Sequence, residues 1–96
     1  MTKSDLVMEV SQAIGPRITK LECGIVVDTL ISSIMDALQR GNSIEIRGFG
    51  TFKVRDRKAR VGQNPSTGEP VAIPARRLPV FTPSRIFCDR VDQGNT

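Results

Sequence analysis

No histidine, tryptophan or tyrosine occurs among the 96 residues. Without His, the chain lacks the side chain most used as a general base and as a metal ligand near neutral pH. The two cysteines, Cys23 and Cys88, have no CxxC spacing, so neither a zinc site nor a disulfide scaffold is indicated. Both read as small, partly buried residues. Paired carboxylates at a spacing useful for acid-base work are missing, as is a phosphate-cradling glycine loop. The sequence is therefore expected to have no enzymatic activity, no metal and no cofactor. Nor does any apolar run approach membrane-spanning length, and Met1-Thr-Lys-Ser-Asp5 opens no signal peptide. These absences point to a cytoplasmic protein with no membrane partner. Aromatic residues are limited to Phe49, Phe52, Phe81 and Phe87, all in the second half of the chain.

What the chain has is concentrated positive charge. Lys53, Arg55, Arg57, Lys58, Arg60, Arg76 and Arg77 face only Asp56 and Glu69 between positions 53 and 77, a net charge of +5 in a chain whose total is +4. Such a stripe is the electrostatic footprint of a polyanion binder, because each neutralised phosphate releases condensed counterions. The middle of the stripe, Gly62-Gln-Asn-Pro-Ser-Thr-Gly68, has the composition of a turn. On either side, Thr51-Phe-Lys-Val-Arg55 alternates apolar and polar residues, and Val71-Ala-Ile73 offers a β-branched partner run. The simplest joining is a long hairpin with the Asn-Pro turn at its tip. Lys53 to Asn64 would then span roughly 40 Å at strand spacing. Few residues along it are large and apolar, so it is expected to project as an arm.

The remaining segments read as one small α+β domain with a modest core. Thr2-Lys-Ser-Asp5 fits a capping box ahead of Leu6, Val7, Val10 and Ile14 at helical spacing, and Gly15-Pro16 ends that helix. A second box, Thr19-Lys-Leu-Glu22, opens a longer helix that Gly41 stops. Its apolar residues, from Cys23 through Leu38 with Ile25 widening the stripe, are too many for one short helix and a few strands to cover. A second copy of the fold would cover them, so an obligate dimer is expected. Residues 43–47 alternate as a strand, with Glu45 and Arg47 on one face. Gly48-Phe-Gly50 turns the chain and lets Phe49 insert into the core. After the arm returns through Leu78-Pro-Val-Phe81, Thr82-Pro-Ser84 prepares a last helix to about Val91, with Ser84 or Thr82 as its cap. Gln93 to Thr96 reads as a tail. The resulting divisions are 1–42 (helical, dimerising), 43–81 (sheet and arm) and 82–91 (last helix).

Three segments together carry a family resemblance: Ile44-Glu-Ile-Arg-Gly-Phe-Gly-Thr-Phe52, Arg60-Val-Gly-Gln-Asn-Pro-Ser-Thr-Gly68 and Phe81-Thr-Pro-Ser-Arg85. The chain resembles the bacterial HU/IHF histone-like DNA-bending family, and its opening residues and Asp89-Arg90 look most like the β type of integration host factor subunit. The resemblance implies an intertwined dimer, homodimeric or paired with an α-type subunit, that bends duplex DNA in the bacterial nucleoid, with roles in transcription, recombination and replication. Two helical hairpins lie beneath two β-ribbon arms, which wrap the minor groove while a tip proline enters a base step, as is general for minor-groove architectural proteins of this kind.

Carried over residue by residue, the resemblance makes Lys53, Arg55, Arg57, Lys58, Arg60, Arg76 and Arg77 arm contacts to DNA. Gln63, Asn64, Pro65 and Thr67 form the tip, and Lys3 and Arg85 face the flanking duplex. Glu45 would orient Arg47 toward the minor groove, giving sequence preference; the plainer reading is a surface ion pair. Three positions depart from the family pattern. Gln63 stands where Arg is usual, Ser84 where Gly is usual and Arg85 where Lys is usual. An HU-like homodimer with little sequence preference is the alternative within the family, and an RNA- or ribosome-associated basic module is the alternative outside it.

Overall fold

A computed structural model describes residues 1–94. In chain order its elements are α1 (Lys3–Ile14), α2 (Lys20–Gln39), β1 (Ile44–Ile46), β2 (Gly50–Arg57), β3 (Arg60–Gln63), β4 (Pro70–Ile73), β5 (Arg76–Pro83) and α3 (Arg85–Gln93). The chain divides into two compact units, Met1–Asp36 and the part from Ala37 onward. No described helix is long and apolar enough to cross a membrane.

In the first unit both helix starts are fixed by capping boxes. The Thr2 hydroxyl accepts from the Asp5 N–H at 3.4 Å and the Asp5 carboxylate accepts from the Thr2 N–H at 2.8 Å. Thr19 and Glu22 repeat the exchange at 3.1 and 3.0 Å. Each box satisfies two amides that a helix N-terminus otherwise leaves without partners. Gly15, at φ 81°, ends α1. Val7 and Cys23 are the buried apolar side chains of this unit. By contrast Leu21, Ile25, Val26, Leu30, Ile31 and Met35 of α2 are 40–77% exposed.

The second unit begins where α2 ends. Gly41 donates to the Leu38 carbonyl and Asn42 to the Ala37 carbonyl, the paired bonds of a Schellman stop, with Gly41 at φ 85°. A three-stranded antiparallel sheet follows, ordered β1-β2-β5. Its apolar side holds a cluster of four rings. Phe49 lies 4.9 Å from Phe81 and 5.3 Å from Phe87, and Phe52 lies 4.8 Å from Phe81. Phe49 is nonetheless 41% exposed, so it joins this cluster from the edge rather than inserting fully into a core. α3 is capped by Ser84, whose hydroxyl accepts from the Phe87 N–H.

The arm is built differently from its sequence-level outline. Thr51 to Arg55 pair with Leu78 to Thr82, and Val71 to Ile73 pair with Arg60 to Gly62. Two partner runs were available to each strand, and the tip chooses between them. Asn64 donates to the Glu69 carbonyl, which sets Gln63 against Pro70 and every later rung with it. Between the β2-β5 and β3-β4 ladders, Lys58-Ala59 and Pro74-Ala75 belong to no strand. Pro74 has no N–H to give a ladder. The register does not slip across the gap, since Arg57 faces Arg76 on one side and Arg60 faces Ile73 on the other.

Two elements also change their bounds. β1 covers Ile44–Ile46, leaving Arg47 in the following turn instead of beside Glu45 on a strand. α3 extends to Gln93, past Val91 and into the expected tail, because Arg90 and Val91 carbonyls still find the Gly94 N–H. Asn95 and Thr96, the rest of that tail, lie outside the described residues.

Candidate nucleic-acid interface

Side chains directly opposite one another in an antiparallel ladder share a face, and successive pairs alternate faces. In the β2-β5 ladder this divides the side chains between two faces. One face carries the pairs Phe52-Phe81, Val54-Pro79 and Asp56-Arg77. The other carries Thr51-Thr82, Lys53-Val80, Arg55-Leu78 and Arg57-Arg76. Lys53, Arg55, Arg57 and Arg76 thus form an exposed cationic row on one face, while Asp56 lies on the opposite face. Among the described residues no arm cation has a carboxylate within ion-pair distance; the ion pair present is Lys3 with Asp28. Four like charges on one small face repel each other, a cost that a polyanion would relieve.

Two concavities border the row. At its root, Glu45, Thr51, Lys53, Arg55, Thr82 and Ser84 line a recess of about 280 Å³. Further out, at the gap between the ladders, Arg57, Lys58, Arg60 and Arg76 surround a recess of about 580 Å³ floored by Ile73 and Leu78, with no carboxylate among its lining residues. Arg donors fit phosphate oxygens bidentately, and the apolar floor suits sugar edges.

The tip is a self-supported loop. Asn64 Oδ1 accepts from the Ser66 N–H at 2.9 Å, Gly68 donates to the Asn64 carbonyl at 2.7 Å, and Thr67 Oγ1 accepts from the Glu69 N–H at 3.3 Å. These bonds flank Pro65 and leave its ring exposed. Gly68 takes φ 73°, a left-handed value that a residue with a Cβ adopts at a cost. The Asn64 and Thr67 oxygens thus hold the loop, while the Asn64 amide and Thr67 hydroxyl keep donors for a ligand.

The other expected site residues are placed separately. Lys3 Nζ lies 2.6 Å from Asp28 Oδ1, both side chains more than half exposed, a pair of the kind worth about 0.2–1 kcal/mol. Arg85 is the first residue of α3. Arg77 stands apart from the cationic row. It shares the apolar face with Asp56, and one guanidinium nitrogen lies 3.4 Å from where a Cβ on Gly41 would be, against the turn that closes α2. Sequence reasoning missed that division between Arg76 and Arg77, although adjacent strand residues must point to opposite faces. It also missed Asp28 as the partner of Lys3, for which a separation of 25 positions leaves no local signal.

A small sheet from which a cation-lined hairpin projects defines a nucleic-acid-binding protein. Residues 1–92 match the family described as bacterial DNA-binding protein. The chain belongs to this family, the HU/IHF proteins. It is 43% identical over 95 residues to integration host factor subunit alpha of Ruegeria sp. (strain TM1040), covering 99% of this chain and 93% of that one. To DNA-binding protein HU of Thermus thermophilus it is 43% identical over 91 residues, covering 95% and 92%. An Anabaena HU solved as a cocrystal with DNA superposes with a TM-score of 0.84 at 36% identity, over 97% of this chain and 99% of that one. The relatives so named are an α-type subunit and HU proteins, and the β-type likeness of the chain ends has no counterpart among these three.

Proposed function

We propose that the chain works as a non-enzymatic architectural protein of the bacterial nucleoid, in the cytoplasm, binding duplex DNA along its arm and bending it. The observation that carries this reading is the cationic row of Lys53, Arg55, Arg57 and Arg76 on a single ladder face, continued by Lys58 and Arg60 and ending in an exposed proline. Phosphate contacts from the row hold the duplex. Gln63, Asn64, Pro65 and Thr67 enter the minor groove, where the rigid Pro65 ring, with no N–H to desolvate, wedges a base step. Unstacking costs a few kcal/mol per step, offset by the contacts a bent duplex makes with the root of the arm, Lys3, Arg47 and Arg85. Arg77 has the weakest support among these contacts, since it faces away from the row.

The working unit is a dimer. Burying each of the six exposed apolar residues of α2 is worth about 1.5–3 kcal/mol, and a second subunit packing on that helix supplies the cover. Fluorescence anisotropy with labelled duplex DNA and with single-stranded RNA of equal length, over a salt series, tests the reading. A preference for the duplex is expected, with log affinity falling by about 0.9 per phosphate neutralised for each unit of log salt. Equal or tighter binding of RNA would move the chain to the RNA-associated class.

A further inference from the structure

Ser84 links β5 to α3, and its bonding goes beyond a helix cap. Its backbone N–H donates to the Phe49 carbonyl at 2.9 Å. Its hydroxyl donates to the Gly48 carbonyl at 2.9 Å and accepts from the Phe87 N–H at 3.1 Å. A serine hydroxyl has one proton to give, and here that proton is committed to Gly48. Gly48 has φ 82° in the turn between β1 and β2, which the Phe49 N–H closes onto the Ile46 carbonyl at 2.9 Å. The Phe49 ring then stacks on Phe87, 5.3 Å away in the first turn of α3. Two polar bonds and one ring contact therefore fasten the β1–β2 turn to the start of α3.

On each side of this fastening is a candidate DNA contact. β2 starts at Gly50, directly after the turn, and carries Lys53 and Arg55, and Ser84 lines the same recess as both. α3 starts with Arg85. We propose that Ser84 is a positioning residue for DNA binding: its hydroxyl sets the first turn of α3 against the root of the arm, so that Arg85 and the Lys53–Arg55 pair engage one phosphate strand at a fixed spacing. This rests on the DNA-binding reading above and adds the residue that holds its two halves in register. A glycine at this position would keep the backbone bond to Phe49 but have neither hydroxyl bond, freeing the turn and uncapping the helix together.

The test compares wild type with Ser84→Ala, Ser84→Gly and Ser84→Thr, each in its natural assembly. Thermal unfolding is followed alongside duplex affinity over a salt series and energy transfer between the ends of a duplex of about 30 base pairs. At temperatures where the variants are folded, Ser84→Ala and Ser84→Gly are expected to bend the duplex less. Their salt slope should be shallower by about 0.9 for each phosphate no longer neutralised. Ser84→Thr, which keeps donor and acceptor, should restore both. In an Arg85→Ala background the Ser84→Ala effect on the slope should vanish. Lowered melting temperature with unchanged slope and bend would overturn the proposal, as would an effect that persists without Arg85. A wild type that neither binds nor bends overturns the DNA reading, and this inference with it.

Discussion

At Gly50 a single methyl group decides whether the sheet can close on the ring cluster. A Cβ there would lie 2.5 Å from the Thr82 carbonyl oxygen and 2.7 Å from two carbons of the Phe81 ring, and neither is the yielding end of a flexible side chain. Gly50→Ala is expected to lower stability by about 2–3 kcal/mol, read in a denaturation curve. Gly62→Ala is the useful contrast. Its close neighbour, at 2.8 Å, is the Cδ1 of Ile73, which can rotate away, so a destabilisation below about 1 kcal/mol is expected. Glu22 supplies a pH effect. The Thr19 backbone N–H, and then the Thr19 side chain, hold its carboxyl below the ordinary value of 4.5. A folded-state pKa below the unfolded one means that the stabilisation is fully present above pH 4.5 and is lost as pH falls through the lower folded value. The protection factor of the Thr19 amide against hydrogen exchange, referred to the intrinsic rate at each pH, should therefore fall in acid, and Glu22→Gln should abolish that dependence. The caps, the Gly41 stop and the tip turn were all legible in the chain, because each is written within a few neighbouring residues. The Ser84–Gly48 bond spans 36 positions and left no such trace.

Among the elements, α2 is the one the single chain does not complete. Its sequence already showed too much apolar surface, and the structure leaves Leu21, Ile25, Val26, Leu30 and Met35 each more than half exposed. Leu30→Glu, a charge placed on that surface, is expected to raise the dimer dissociation constant at least about tenfold, visible as a lower mass in sedimentation equilibrium. An unchanged mass would place the subunit contact elsewhere. The arm was legible as a hairpin with a proline at its tip. Its rungs were not, because Val71-Ala-Ile73 offers the same β-branched pattern to Thr51–Arg55 as to Arg60–Gly62, and only the tip hydrogen bonds decide between them. The same rungs separate Arg76, in the cationic row, from Arg77, on the apolar face. Arg76→Ala should therefore weaken duplex binding in an anisotropy titration several-fold more than Arg77→Ala, which should instead lower the melting temperature.

For the whole molecule, charge, fold and family membership agree on one kind of partner. Of the net +5 between positions 53 and 77, the β2-β5 ladder sets Lys53, Arg55, Arg57 and Arg76 on one face and Arg77 beside Asp56 on the other. The four cations on the first face account for a salt slope of about −3.6 per arm if each neutralises one phosphate. Charge alone would make the protein stick to DNA, whereas bending needs the wedge. The most direct measurement is energy transfer between the two ends of a duplex of about 30 base pairs, titrated with wild type and with Pro65→Ala. Wild type should bring the ends together, and the variant should bind with nearly the same salt slope while leaving the ends further apart. Equal bending by the two proteins would contradict the role given to Pro65. Binding by wild type without any approach of the ends would contradict the architectural function itself.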